Sequence, residues 1–153
     1  MEGRFFVTAP LEVIWEVLTD YDAIHGFVAS LEHSRVKEQH DGFLLIEQEA
    51  NGRFFIFTRK IYILLEVIEE PPLKIWMKEV SKKDFDLYEA SWEIEQADSG
   101  LNVIYSLNSK PSFWVPSFIV KSRMRKNISA SLKEIRSEII KRNQTQGIRL
   151  SNK

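Results

Sequence analysis

The chain ends in one long amphipathic helix, read over residues 116–143. Val120, Met124, Ile128, Leu132, Ile135 and Ile139 recur at helical spacing and make one face apolar along its length. Seven strand-like runs precede it, and Ser112, Phe113, Trp114, Val115 and Pro116 introduce it. A single antiparallel sheet must cover one of its faces. A terminal helix laid across that face encloses either a packed core or a ligand cavity.

The runs follow one another with short connections. Residues 2–8 read as a strand, and Thr8 is placed to cap a helix holding Pro10 in its first turn. Leu11, Ile14, Trp15 and Leu18 give that helix its apolar face, and a second short helix is expected over 21–28, weakened by Gly26. Strands are expected at 31–39 and 43–49, joined by a turn at His40, Asp41 and Gly42. Asn51-Gly52 is the strongest hairpin signal. Residues 53–68 read as one long strand or two across a bend, followed by strands at 73–80, 84–96 and 102–110 with turns at Lys82-Lys83 and at Asp98, Ser99 and Gly100. Tyr88, Ala90, Trp92 and Ile94 share a face, as do Val103, Tyr105 and Leu107, while Glu89, Glu93 and Asn108 fall opposite. The periodicity fits an aromatic-lined cavity and a filled aromatic core alike.

At 153 residues, with 44% hydrophobic and 28% charged, the chain suits one domain with a sizeable core. The expected division is a domain over 1–143 and a basic flexible tail over 144–153. With no cysteine, a disulfide scaffold, a thiolate metal site and a cysteine nucleophile are excluded. The apolar run before Pro10 is too short for a signal peptide, and no run approaches the roughly 20 residues that cross a bilayer, so a cytoplasmic location is expected. The net charge of −1 is unevenly spread: residues 121–153 hold ten Lys or Arg against two Glu. That basic segment suits an anionic partner, or is a solvated helix face. Its apolar stripe is committed to the fold and no aromatic is interleaved with its basic face, which argues against nucleic acid.

Ala9 to Tyr21, Ser34-Arg35-Val36, the Glu69-Glu70-Pro71-Pro72 turn, Tyr88 to Trp92, and Lys110 to Pro116 together resemble the START-like, helix-grip superfamily. Within it they resemble the polyketide cyclase/dehydrase branch that includes coenzyme Q-binding proteins. The resemblance covers roughly residues 2–142. It implies an α+β helix-grip fold: a seven-stranded curved antiparallel sheet wrapped around the long C-terminal helix, with two short helices after the first strand and an elongated hydrophobic cavity between sheet and helix. Family members bind lipids, quinones, polyketides or related apolar molecules, and some catalyse cyclisation or dehydration. The chain departs from the common pattern in carrying His25 and Ala29 where prolines often anchor the second helix.

Tyr88, Trp92, Tyr105, Leu107, Val120, Met124 and Ile128 are the candidate cavity residues; the tyrosines join ring area to a hydroxyl that can orient a ligand. Phe113, Trp114, Lys121 and Arg125 are candidates for an entrance that touches an anionic membrane. Arg35, Glu47 and Arg59 interrupt strand-like runs, on the surface or projecting inward, and Asp20 suits a helix end. His25, His33 and His40 fall in separate elements and make no metal cluster. The leading expectation is non-catalytic binding, transport or sequestration of a hydrophobic small molecule, a quinone, isoprenoid or other lipid, with no cofactor beyond that bound molecule. The alternatives are a polyketide cyclase/dehydrase-type enzyme on an aromatic substrate, for which no acid or base is identified, and an interaction module with a closed cavity that meets a protein partner or forms a weak homodimer.

Overall fold

The computed structural model describes residues 1–51 and 60–151, with side chains to 147. Its elements are β1 (Glu2–Val7), α1 (Leu11–Leu18), a single 3-10 turn (Ile24–Gly26), β2 (Leu31–His40), β3 (Phe43–Ala50), β4 (Ile61–Glu70), β5 (Lys74–Glu79), β6 (Phe85–Gln96), β7 (Leu101–Pro111) and α2 (Ser117–Ser151). The strands form one antiparallel sheet in the order β1-β7-β6-β5-β4-β3-β2, so β2 to β7 are a plain meander and β1 returns to pair with β7. This is the helix-grip arrangement. Gly52 of the expected hairpin, the first part of the strand expected from 53, and Arg59 lie outside the described residues.

Alternation decides the two faces of the sheet. Ala90, Trp92, Ile94, Val103 and Leu107 are buried on the inner face, and Glu89 and Asn108 are exposed on the outer. The α2 stripe seats on the inner face, with Met124, Ile128, Leu132, Ile135 and Ile139 all buried. Gly3 allows close approach: a Cβ there would lie 2.6 Å from Leu132 Cδ1. Arg136 Nε also donates to the Phe6 carbonyl at 2.9 Å, tying α2 to β1.

Three local expectations differ from the structure. Thr8 does not cap α1; its hydroxyl approaches the Ser99 carbonyl at 3.5 Å, and extended Pro10 (φ −61°, ψ 145°) stands at the N-cap. Pro10 has no N–H to satisfy, and its carbonyl accepts from Val13 and Ile14. The second helix reduces to the 3-10 turn, because Gly26 weakens a segment held instead by the burial of Tyr21 and Val28. Finally, α2 continues through residues 144–151, past the expected boundary at 143.

Two buried or half-buried charges organise the packing. Glu79, 1% exposed, accepts from the backbone N–H of Leu64 and of Lys82 and from the Ser81 hydroxyl. Its carboxylate thereby folds the β5–β6 turn, where Lys82 adopts φ 59°. Arg142 on α2 meets Asp20 at 2.8 Å, Glu16 at 3.2 Å and Glu138 at 3.0 Å, clamping α2 to α1. Arg142→Ala should lower unfolding free energy by about 1–2 kcal/mol, less than the loss of a fully buried pair because the cluster is partly solvated. Denaturant titration of the variant and of Lys141→Ala, an exposed neighbour, checks this; equal stabilities would refute the clamp.

Candidate functional site

Where α2 crosses the sheet, the side chains leave a cavity of about 120 Å³. Met124, Ile128, Leu132 and Ile135 close it from the helix, while Tyr88, Trp92, Tyr105 and Leu107 close it from β6 and β7. Six of the seven expected cavity residues therefore lie together. Val120 does not line it; half-buried one turn before Met124, it borders a separate groove with Phe113, Trp114 and Lys121.

Trp92 is 8% exposed, and its ring centroid lies 4.6 Å from that of Tyr105 at a tilt of 45°. The Tyr105 and Tyr88 phenols both line the cavity and each influences the other's ionisation. Burial pushes both phenols above their ordinary value, and the contact with Tyr88 pushes Tyr105 further. Both are neutral hydrogen-bonding groups at physiological pH. The polar liners missed in the sequence are Gln48, Ser30, Asn127 and Ser131. A signal for two of them existed: Asn127 and Ser131 each immediately precede a residue of the α2 stripe and are spaced four apart. Among the described lining residues none carries a formal charge.

The other candidates lie elsewhere. Arg35 and Glu47 pair at 2.8 Å, and Glu47 also accepts from the Tyr62 hydroxyl at 2.7 Å. They belong to a surface hollow with His25 and His33, not to the cavity. The Tyr62 hydroxyl, followed by Arg35, holds the Glu47 carboxyl below the usual range. Asp20 accepts from Ala23 and Ile24 through its carbonyl and from Arg142 through its carboxylate, so its role is structural. No group of three potential metal ligands occurs among the described residues.

Of the residues expected at an entrance, Phe113 is half-buried against the core, Trp114 is 85% exposed, and Lys121 and Arg125 are exposed. Phe118, 73% exposed, was missed. Its signal was phase: it falls off the α2 stripe although it is a large aromatic.

A curved antiparallel sheet gripping a C-terminal helix over an apolar cavity defines a helix-grip protein. The chain belongs to the family described as polyketide cyclase / dehydrase and lipid transport, whose model matches residues 7–136. Among solved structures it is similar to a START superfamily protein from Mycobacterium smegmatis (14% identity, 92% of this chain and 97% of that one, TM-score 0.77). It is also similar to the Zhui aromatase/cyclase from Streptomyces sp. R1128 (14%, 93% of each chain, TM-score 0.76). A third similar structure is a STAR-related lipid transfer protein from Xanthomonas axonopodis (15%, 90% of this chain and 84% of that one, TM-score 0.70). At these identities the likeness is one of fold. No curated protein sequence matches the chain. No described helix is long and apolar enough to cross a membrane.

Two measurements probe the site. Trp92→Ala should reduce stability by about 3–5 kcal/mol through lost burial and an enlarged void, read by chemical denaturation; an unchanged midpoint would remove Trp92 from the packed wall. All four tyrosines, Tyr21, Tyr62, Tyr88 and Tyr105, are raised first by burial, Tyr62 to about 12. A phenol raised on folding contributes stability that is complete below the unfolded value near about 10 and is lost as pH climbs through the folded value. Absorbance titration should show no native tyrosine ionising at its ordinary pH, with melting temperature falling above about pH 10. A tyrosine titrating normally in the folded protein would contradict this.

Proposed function

We propose that the chain binds a neutral, ring-bearing hydrophobic molecule without transforming it, with a quinone head as the best-fitting chemistry. The carrying observation is a cavity with no formal charge among its described lining residues and with the Tyr88 and Tyr105 phenols in its wall. Apolar walls supply the driving force, and a charged ligand group would be desolvated there with no formal counter-charge among the described lining residues. A quinone carbonyl only accepts hydrogen bonds, and tyrosine hydroxyls and the Gln48 and Asn127 amides can donate.

Size narrows the occupant. A cavity of about 120 Å³ is below the roughly 300–1,000 Å³ of sites for drug-sized ligands, and near the roughly 150 Å³ void that accepts benzene. It accommodates one ring, so a long isoprenoid tail must lie outside the cavity as it stands. General acid–base catalysis works best with a group titrating near the operating pH. The two cavity phenols are shifted away from neutrality, and no carboxylate or histidine is among the described liners, which favours binding over cyclisation or dehydration.

Ligand extraction with mass spectrometry, followed by titration of a neutral benzoquinone and the matching benzoate, tests the reading. The quinone should bind and the benzoate should not. Tyr105→Phe should weaken quinone binding roughly tenfold, the worth of one well-made hydrogen bond. Equal affinity for the benzoate, or binding indifferent to Tyr105, would overturn the proposal; product formation from an aromatic polyketide would establish the enzymatic alternative.

A further inference from the structure

Trp114 and Phe118 are the most exposed large apolar side chains among the described residues, at 85% and 73%; the next, Leu73, is 50% exposed. They sit just before and within the first turn of α2, and no described part of the fold covers them. Singly exposed apolar residues are ordinary. Two large exposed aromatics, with half-buried Phe113, Val115 and Val120 next to them in sequence, instead make residues 113–120 a short apolar prow.

Along the chain, residues 110–133 carry charge of one sign. Lys110, Lys121, Arg123, Arg125, Lys126 and Lys133 are all exposed, no acid occurs between residues 110 and 133, and none of the six has an ion-pair partner among the described residues. Phe118, Lys121 and Arg125 recur at i, i+3 and i+7, so aromatic and cations share one helix face. Asp86 is the one carboxylate among the described residues of the adjoining groove. Exposed aromatics flanked along the chain by cations that have no ion-pair partner among the described residues are complementary to a surface that offers hydrocarbon a few ångströms beneath a layer of negative charge.

We propose that Trp114 and Phe118 insert into the interface of an anionic lipid bilayer, with Lys121 and Arg125 against its headgroups. Aromatic side chains at the membrane boundary gain from burial, while the cations add attraction that salt screens. Six residues of helix, about 9 Å, separate Phe118 from the cavity-lining Met124. Docking in this orientation sets the cavity end of α2 beside the lipid surface. Single-stranded nucleic acid also combines cations with aromatic stacking. Here, however, the aromatics are followed along the chain by the half-buried aliphatics Val115, Ile119 and Val120 rather than alternating with cations along a charged track.

The ligand-free full chain should co-sediment with phosphatidylcholine vesicles containing phosphatidylserine, and weakly or not at all with phosphatidylcholine alone. Trp114→Ala/Phe118→Ala should weaken the binding roughly tenfold or more, and each of Lys121→Gln and Arg125→Gln roughly fivefold, with circular dichroism confirming the fold. Brominated lipid chains should quench wild-type fluorescence, and Trp114→Phe should remove most of that quenching while the protein still binds. Tyr105→Phe should bind vesicles like the wild type, separating this surface from the cavity function. Failure of the wild type to bind anionic vesicles, or undiminished binding by the aromatic double variant, overturns the proposal. So does binding of a single-stranded oligonucleotide that the double variant loses while vesicles bind neither protein.

Discussion

The seat of the α2 stripe on the inner face of the sheet is the contact on which the rest depends. Ile139 is 0% exposed, Ile135 3% and Leu132 7%, and full burial of such a side chain contributes about 1.5–3 kcal/mol. Without this helix the inner face would present Trp92, Tyr105 and Leu107 to water, and without the sheet the stripe would lose its apolar partner. The contact also has a direction. Toward its C-terminal half α2 is fastened by Arg142 to α1 and by Arg136 to β1, whereas at the opposite end Val120 is only half-buried and Phe118 is exposed. The cavity lies between the fastened and the exposed end.

Much of this architecture was legible because it rests on periodicity. The period of two in β6 and β7 assigned Trp92 and Tyr105 to the inside, and the helical period of α2 assigned Met124 and Ile128 to face them. Neither assignment needs a long-range contact to be known in advance. What escaped the sequence is polar and tertiary. Glu79 reads as an ordinary strand-end charge, yet its carboxylate is buried because the β5–β6 turn curls Ser81 and the Lys82 N–H onto it while Leu64 donates from a neighbouring strand. Arg142 and Asp20 are separated by 122 positions, so only the finished fold brings them together. Thr8 suited a cap by residue type, but Pro10, already extended, starts the helix closer to its first turn. Phe118 was visible as an off-stripe aromatic; how far it projects depends on the path of the chain through Phe113 to Pro116.

The interior and exterior of α2 are chemically opposed. Its inner side contributes hydrocarbon, an amide and a hydroxyl to the cavity through Met124, Ile128, Asn127 and Ser131. Its outer side carries Lys121, Arg123, Arg125, Lys126 and Lys133 into solvent. Segregation of this kind keeps formal charge out of the wall, where desolvation would disfavour it, while the same helix turns cations outward. The absence of formal charge from the part of the wall that α2 supplies is thus a consequence of helical phase as well as of residue choice.

Local stability should follow the distribution of buried apolar contacts along the helix. Ile135 and Ile139 combine deep burial with the nearby Arg142 clamp, so separating that half of α2 from the sheet exposes core and breaks ion pairs together. The first turn holds Ile119 and Val120 only half-buried and commits neither Phe118 nor Lys121 to the interior. Opening therefore costs less at Ser117 than at Ile139, since elements with few buried contacts open locally at lower free energy than the global core. A single continuous helix thereby serves two requirements: its later turns resist separation from the sheet, and its first turns can yield beside the cavity without unseating the stripe that keeps the protein folded.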